Sequence, residues 1–381
     1  MKKLVTILVA VAAMVAISAP ALAVSPSSYT FEMGARMLTD IGWQSKSEEL
    51  TKNKSSEVGS WFTNVPAHSY LRARFYSVDK NVGGRIELGL KSVQPDATVS
   101  LRYAYGYWRV GNCRILAGQT DNWFGSSAFA PKQYVGNSIS NGDTTNHLMF
   151  MGWGFVWPHR VPQVQFTYET DQWGIQFALE EPRNKSTLDG ASDVDNVFIM
   201  PRMTLTAMFR YGAFMIQPGA MYVKHGYEAG NTGASDESWD TMIFLLPIKF
   251  TAGPFALKFQ GHYGKNFATE IPFYDTKWTK PVLNGSEVED TIIWGGSLAG
   301  EYSIGKLMLT GGVGYENWSN DTWTNDDEIT RWAAFVAVPY QFTTNFGIHP
   351  EFAYYKYGDN PNTGNEMGNE WVLGVQFRFI F

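Results

Sequence analysis

Basic residues recur at alternate positions in the first third of the chain: Arg36, Arg72, Arg74, Arg85, Lys91, Arg102 and Arg114. The acids of the same parity there are Glu32, Asp40 and Glu87. A surplus of guanidinium groups on one face does not suggest bond-making chemistry. Arginine stays charged and binds carboxylate or phosphate oxygens through a fork of donors, so the chemistry open to such a face is attraction and guidance of anions. Catalysis has no comparable support. Six histidines (His68, His147, His159, His225, His262, His349) are scattered without metal-ligand spacing. No phosphate loop, dinucleotide fingerprint or zinc-binding helix motif occurs. A hydrolase needs a nucleophile, a base and an orienting group together, and nothing local marks such a set. We expect no enzyme activity, catalytic residue, cofactor or metal. The single cysteine, Cys113, excludes an intrachain disulfide.

The segments that must carry these cations read as strands. From Trp371 to Phe381 one parity is Trp371, Leu373, Val375, Phe377, Phe379 and Phe381, and the other is Val372, Gly374, Gln376, Arg378 and Ile380. Alternation of period two separates two faces of a strand, and eleven residues match a tilted strand crossing a bilayer, ~9–11 residues. Phe31, Met33, Ala35, Met37, Ile41 and Trp43 alternate with Glu32, Gly34, Arg36, Asp40 and Gly42. Similar runs place Leu71, Ala73 and Phe75 opposite Arg72 and Arg74, and Ile86, Leu88 and Leu90 opposite Arg85, Glu87 and Lys91. A further run places Val99, Leu101, Tyr103, Tyr105 and Tyr107 opposite Arg102. Aromatics make up 15% of the chain and glycine 37 residues, yet mean hydropathy is −0.20. That combination fits strands with one lipid-facing and one wet face. A charge on the lipid face costs ~2–4 kcal/mol at the bilayer midplane, so the arginines must point inward.

Turn residues order the strands. Short turns are expected near Asp79–Gly84, Arg109–Asn112, Asp171–Gly174, Arg210–Gly212, Thr251–Pro254, Ser303–Lys306 and Gln341–Asn345, where Gly and Asn suit positive φ. Eight longer connections lie near 44–68, 92–98, 121–162, 182–196, 225–240, 265–290, 317–329 and 358–369. Seven turns and eight loops join about sixteen strands. The expected fold is all-β, a transmembrane antiparallel barrel. Outward aromatics fall at both strand ends, Phe209, Phe214 and Phe255 beside turns and Trp43, Trp294 and Trp332 beside loops, as interfacial girdles require. Met1-Lys2-Lys3, an apolar run and Ala21-Leu22-Ala23 resemble a cleaved export signal over 1–23, leaving 24–381 as one barrel domain. Losing Lys2 and Lys3 takes the formal charge of −6 further negative, which disfavours nucleic acid as a partner.

The connection from Asp121 to Pro162 is long and apolar, including Met149-Phe150-Met151-Gly152-Trp153-Gly154-Phe155-Val156-Trp157. So much apolar surface would not stand exposed in an outer loop. Folding into the lumen is the expected solution. Contact with a neighbouring subunit, or an extra strand over 148–157, are the alternatives. Its charged residues include Asp121, Lys132, Asp143 and Arg160. The other loops look acidic, as in Asp236, Glu237 and Asp240, or Glu287, Glu289 and Asp290.

The leader, the long loop after strand five, its Gly118-Gln119-Thr120 start and Arg160-Val161-Pro162-Gln163 end, the arginine wall and terminal Phe381 together resemble Gram-negative trimeric 16-stranded outer-membrane porins. DcaP-like porins are the subgroup most similar. The resemblance implies a third loop folded into the lumen to face a basic ladder, with Arg36, Arg72, Arg74, Arg85, Arg102 and Arg114 matching the ladder. Asp121, Lys132, Asp143 and Arg160 match by lying on the loop. It also implies a homotrimer in the outer membrane, touching lipid and lipopolysaccharide, that passes small hydrophilic solutes and prefers anions such as carboxylates. Two readings of the arginines stand side by side: they pair with acids and line a wet pore, or they filter anions. A substrate-specific gated channel and a surface adhesin or structural envelope protein are the other functional classes.

Overall fold

Alternating residues with nothing but turns between them can satisfy their backbone groups in a membrane only by pairing all the way round. In the computed structural model they do so. It describes residues 29–51, 58–93, 96–135, 150–183, 194–229, 237–267, 270–271, 274, 277–285 and 287–381. The expected leader and Asp143 lie outside them. The strands are β1 (Tyr29–Lys46), β2 (Val58–Ser77), β3 (Val82–Val93), β4 (Asp96–Val110), β5 (Cys113–Thr120), β6 (Val161–Glu169) and β7 (Trp173–Glu180). Next come β8 (Val194–Phe198 with Arg202–Tyr211), β9 (Phe214–Ile216 with Gly219–Ala229), β10 (Glu237–Ala252), β11 (Phe255–Lys265) and β12 (Ile292–Ile304). The last are β13 (Leu307–Ser319), β14 (Glu328–Ala337 with Tyr340–Gln341), β15 (Phe346–Lys356) and β16 (Asn369–Ile380). Each pairs antiparallel with its neighbours, and β1 pairs β16 from Arg36↔Ile380 to Lys46↔Glu370, closing a barrel of sixteen strands. Closure leaves no edge along the seam. No helix among the described residues is long and apolar enough to cross a membrane.

The three split strands share a cause. Pro201, Pro218 and Pro339 sit at the breaks, and proline has no N–H for the ladder. Their carbonyls can still serve: Ala207 N donates to Pro218 O (3.0 Å) and Met308 N to Pro339 O (2.9 Å).

All seven short turns fall where Gly and Asn place them, and the eight longer connections lie at the other end. Glu237 and Asp240 belong to β10 rather than to an outer loop. The outward parity is apolar and exposed: Phe31, Leu71, Ile86, Leu205, Phe244, Leu298 and Val313 among many. Aromatics stack across neighbouring strands at both ends, Phe214–Phe250 (4.9 Å between centroids) near turns and Trp332–Tyr354 (5.2 Å) near loops.

One stretch departs from simple alternation. Glu87 pairs with Tyr103 but Leu88 pairs with Leu101, so Arg102 is an extra residue in β4. A bulge of one residue turns every later side chain over. Tyr103, Tyr105 and Tyr107, expected outside, therefore share the inward face with Glu87 and Arg85, while Trp108 points outward. Gly89 makes the bulge possible. A Cβ there would meet Arg102 Cδ at 2.7 Å.

The largest buried side chains come from the long loop, as expected, and also from the connection 266–291 and the end of β13, which were not. Phe150, Trp153, Phe267, Tyr274 and Trp318 lie in two clusters with inward residues such as Ile243, Ile293, Ile329, Phe335 and Tyr355. The barrel thus has a packed core inside its wall on one side, built from loop residues.

Candidate functional site

Residues 121–135 leave β5 and, with residues 150–160 on the return, run along inward-facing side chains of β7 to β16. An interior segment must have its backbone groups bonded, and the wall supplies the partners. Trp123 N donates to Gln176 Oε1 (2.7 Å), and Gln217 donates to Trp123 O. Lys258 Nζ donates to Ala130 O (3.0 Å). The Glu351 carboxylate accepts from Tyr134 N and Val135 N, and Gln376 Nε2 donates to Tyr134 O (2.7 Å). On the return, Gly154 N donates to Glu316 Oε1 (2.7 Å) and Val156 N to Gln260 Oε1 (2.6 Å). Bare backbone receives the apolar residues. A Cβ on Gly374 would meet Val135 Cγ1 at 2.6 Å, and one on Gly314 would overlap the Trp153 carbonyl. Residues 150–157 hold only an isolated bridge, Met151↔Phe155, so they do not form an extra strand.

The described residues of the connection 266–291 pack against the same wall, which the acids near its end did not suggest. Phe267, Ile271 and Tyr274 are fully buried. Arg202 on β8 binds Glu180 of β7 and Glu270 of this loop (Nη1–Oε2 2.9 Å), all three with side chains at 0% exposure. His225 Nε2 lies 3.2 Å from Glu270 Oε1. The Tyr274 hydroxyl donates to Glu316. Burial, and then the Glu316 carboxylate, push that hydroxyl well above its ordinary range, so it stays protonated and remains a donor.

The inward face of β1 to β5 is different in kind. Arg36, Arg72, Arg74, Arg85, Arg102 and Arg114 all lie on it. Glu87 takes both Arg85 and Arg102 (Nε–Oε1 2.7 Å). Arg36, Arg72, Arg74 and Arg114 have no carboxylate within 4.0 Å among the described residues. Arg36 is aimed by a second irregularity: β2 shifts register between Val65 and Ser69, and Arg36 Nε donates to the freed His68 carbonyl (2.9 Å). Arg114 lies nearer the turns, lining a cavity of about 660 Å³ with Arg109, Glu169 and Arg210. Of the six arginines, two are paired with a carboxylate and four are not among the described residues.

Asp121 and Arg160, at the two ends of the long loop, meet this wall. Arg160 Nε is 3.4 Å from Asp121 Oδ1, and Tyr103 donates its hydroxyl to Asp121. The Tyr103 ring carries Arg85 Cζ at 3.9 Å and Arg160 Cζ at 4.8 Å from its centroid. Lys132 lies on the loop but far from this cluster, against Glu301 on β12 (2.7 Å).

Tyr103 is the centre of the cluster and was not expected, because the bulge that turns it inward has no local signal. Tyr70, under Arg36 (4.7 Å) and Arg72 (5.4 Å), has the parity of the arginines and could have been found by it. Arg378, Lys258 and Lys306 also reach the inner space. Alternation already gives Arg378 inward parity, but as a lone cation on its strand it carries no local sign of a site.

Sixteen strands, a third long loop against the inner wall and one basic face can be compared with solved structures. The DcaP outer-membrane channel of Acinetobacter baumannii matches with a TM-score of 0.73 at 16% identity, over 94% of this chain and 99% of that one. The chain has the porin fold. An anion-selective porin from Comamonas acidovorans gives 0.58 at 10% identity, over 93% and 100%. OmpT of Vibrio cholerae gives 0.57 at 12%, over 95% and 100%. No family model and no curated protein matches by sequence. This porin barrel therefore shares its path through space with channels whose residues it hardly shares.

Proposed function

We propose that the protein is a passive outer-membrane porin that admits small hydrophilic solutes, prefers anions and assembles as a homotrimer. One observation carries the preference. Four arginines on β1 and β2 and at the β5 mouth have no carboxylate partner among the described residues, opposite a loop whose Asp121, Lys132 and Arg160 are each in an ion pair. A narrow, low-dielectric opening focuses such a field and concentrates counter-ions in it. Residues 121–135 and 150–160 set the size limit by occupying the β7 to β16 side, leaving the basic side for passage. Arg36, Arg72, Arg74, Arg85 and Arg102 line that passage, with Arg160, Asp121 and Tyr103 at its narrowest part and Arg114 nearer the turns. The porin fold, the apolar belt with aromatic rims and the names of the matched channels support the membrane and the channel. No covalent step is required of any residue.

The test is single-channel current in a planar bilayer under a potassium chloride gradient. The expected reversal potential has the sign of chloride preference, with current steps in threes. Potassium preference would remove the anion filter and keep the channel. No conductance from heat-modifiable, folded protein would remove the channel.

A further inference from the structure

A cavity of about 460 Å³ lies on the turn side of the long loop, between residues 127–134 and the seam of the barrel. Five cations line it: Arg36, Lys132, Lys258, Lys306 and Arg378. No carboxylate does. Glu301 stands behind, 2.7 Å from Lys132 Nζ and 2.6 Å from Lys258 Nζ, and Glu351 behind the loop at Tyr134 N, so the five bases outnumber the acids. One buried donor in the lining, Arg378 Nε, makes no hydrogen bond among the described residues. A buried N–H without a partner is uncommon and points to a missing acceptor. The cavity does not include Tyr103, Asp121 or Arg160: it is lined by the loop segment, β1, β2, β11, the β12–β13 turn, β14, β15 and β16, and shares Arg36 with the basic wall.

We propose that this cavity is a binding station for a phosphate-type oxyanion, in series with the narrow passage. The inference rests on the anion-channel reading and adds a place where the solute pauses. Its volume is that of a cube roughly 8 Å on edge, about one Debye length at physiological ionic strength, so the five charges act on one guest together. A single carboxylate would leave most of that charge uncompensated. Phosphate and pyrophosphate gather two or more charges and several acceptor oxygens into one compact group. Lysine binds such a group as a mobile point charge and arginine as a fork, and both are present. A dicarboxylate of equal charge holds its two ends apart and matches a single convergent cavity less well. The chloride current then saturates and is blocked as the station fills.

The experiment is block of single-channel chloride current by sodium pyrophosphate, inorganic phosphate and succinate, each added to the turn side of the oriented channel. Pyrophosphate is expected to block saturably, at concentrations roughly tenfold below succinate. Lys306→Gln with Arg378→Gln is expected to weaken that block by roughly tenfold or more. Neutralising the rim lysines Lys265 and Lys356, both in ion pairs with Asp290 and Glu366, is expected to leave it intact. Equal block by succinate and pyrophosphate would overturn the phosphate assignment. Block that survives Lys306→Gln/Arg378→Gln in a protein of unchanged conductance would overturn the site. A channel that reverses on the potassium side fails the underlying reading instead, and the sign of that potential distinguishes the two.

Discussion

Arg331 on β14 and Arg72 on β2 both point inward from neighbouring regions of one wall, and their surroundings differ completely. Arg331 lies between the rings of Trp153 and Trp318, 4.1 Å from each centroid, with Nε 3.4 Å from Glu316 Oε2. Arg72 lies over the Tyr70 ring at 5.4 Å and opposite Glu87 in the ladder, with no carboxylate within 4.0 Å among the described residues. The first is covered by loop and must have a carboxylate, because an unpaired buried charge is far too costly. The second faces open lumen and can do without. The same contrast holds across the halves. From β7 to β15 the inward charges Arg202, Glu180, Glu316, Lys258 and Glu351 hold loops, whereas from β1 to β5 Arg36, Arg72, Arg74 and Arg114 have no carboxylate partner among the described residues and Arg85 and Arg102 take Glu87 of β3. Both a covering loop and a neighbouring strand acid decide which cations are paired.

That division can be broken at its covered side first. Arg202→Met leaves Glu180 and Glu270 buried without their partner, and breaking a buried pair costs about 3–5 kcal/mol. The expected result is a lower unfolding temperature on heat-shift gels and cleavage within 266–291 by added protease, with the barrel still closed. Unchanged protection of that loop would show that the ion triad does not hold it. Gly314→Val comes next. Its side chain enters the space of the Trp153 carbonyl, and overpacking of this kind costs about 1–3 kcal/mol. Residues 150–157 are expected to lift, raising single-channel conductance and admitting larger sugars in liposome swelling. Unchanged conductance would mean that the loop is not the size limit.

These two sites also mark what could be read from the chain. Turn residues and alternation locate every short turn and the β1–β16 closure, because each is a local or strictly periodic signal. The apolar run 149–157 announces that it needs cover. Its partners do not announce themselves. Glu316 and Glu351 lie 162 and 217 residues from the amides they bind, and a lone acid on a wet face looks the same whether it holds a loop or faces water. The loop over 266–291 hid its burial behind the acids near its end and spaced-out Phe267, Ile271 and Tyr274. Tyr103 was misplaced by one inserted residue, Arg102, which alternation treats as an ordinary member of the strand.

The smallest effect sharpens the open side. Asp121→Asn removes the one acid that holds both Tyr103 and Arg160, a loss of about 1.5–3 kcal/mol of charged hydrogen bonding at most. It also leaves Arg160 unpaired in the passage. Chloride preference is expected to rise modestly while conductance stays within a factor of about two. A fall in chloride preference would place Arg160 outside the conducting path.

The most direct test of the division compares equal surgery on the two sides. Reversal potentials in a potassium chloride gradient are measured for Arg36→Gln/Arg72→Gln/Arg74→Gln and for Glu316→Gln/Arg331→Gln, each against the parent channel. The unpaired triple is expected to lose most of its chloride preference, and the paired double to keep it. A triple variant that reverses at the parent potential would contradict the account.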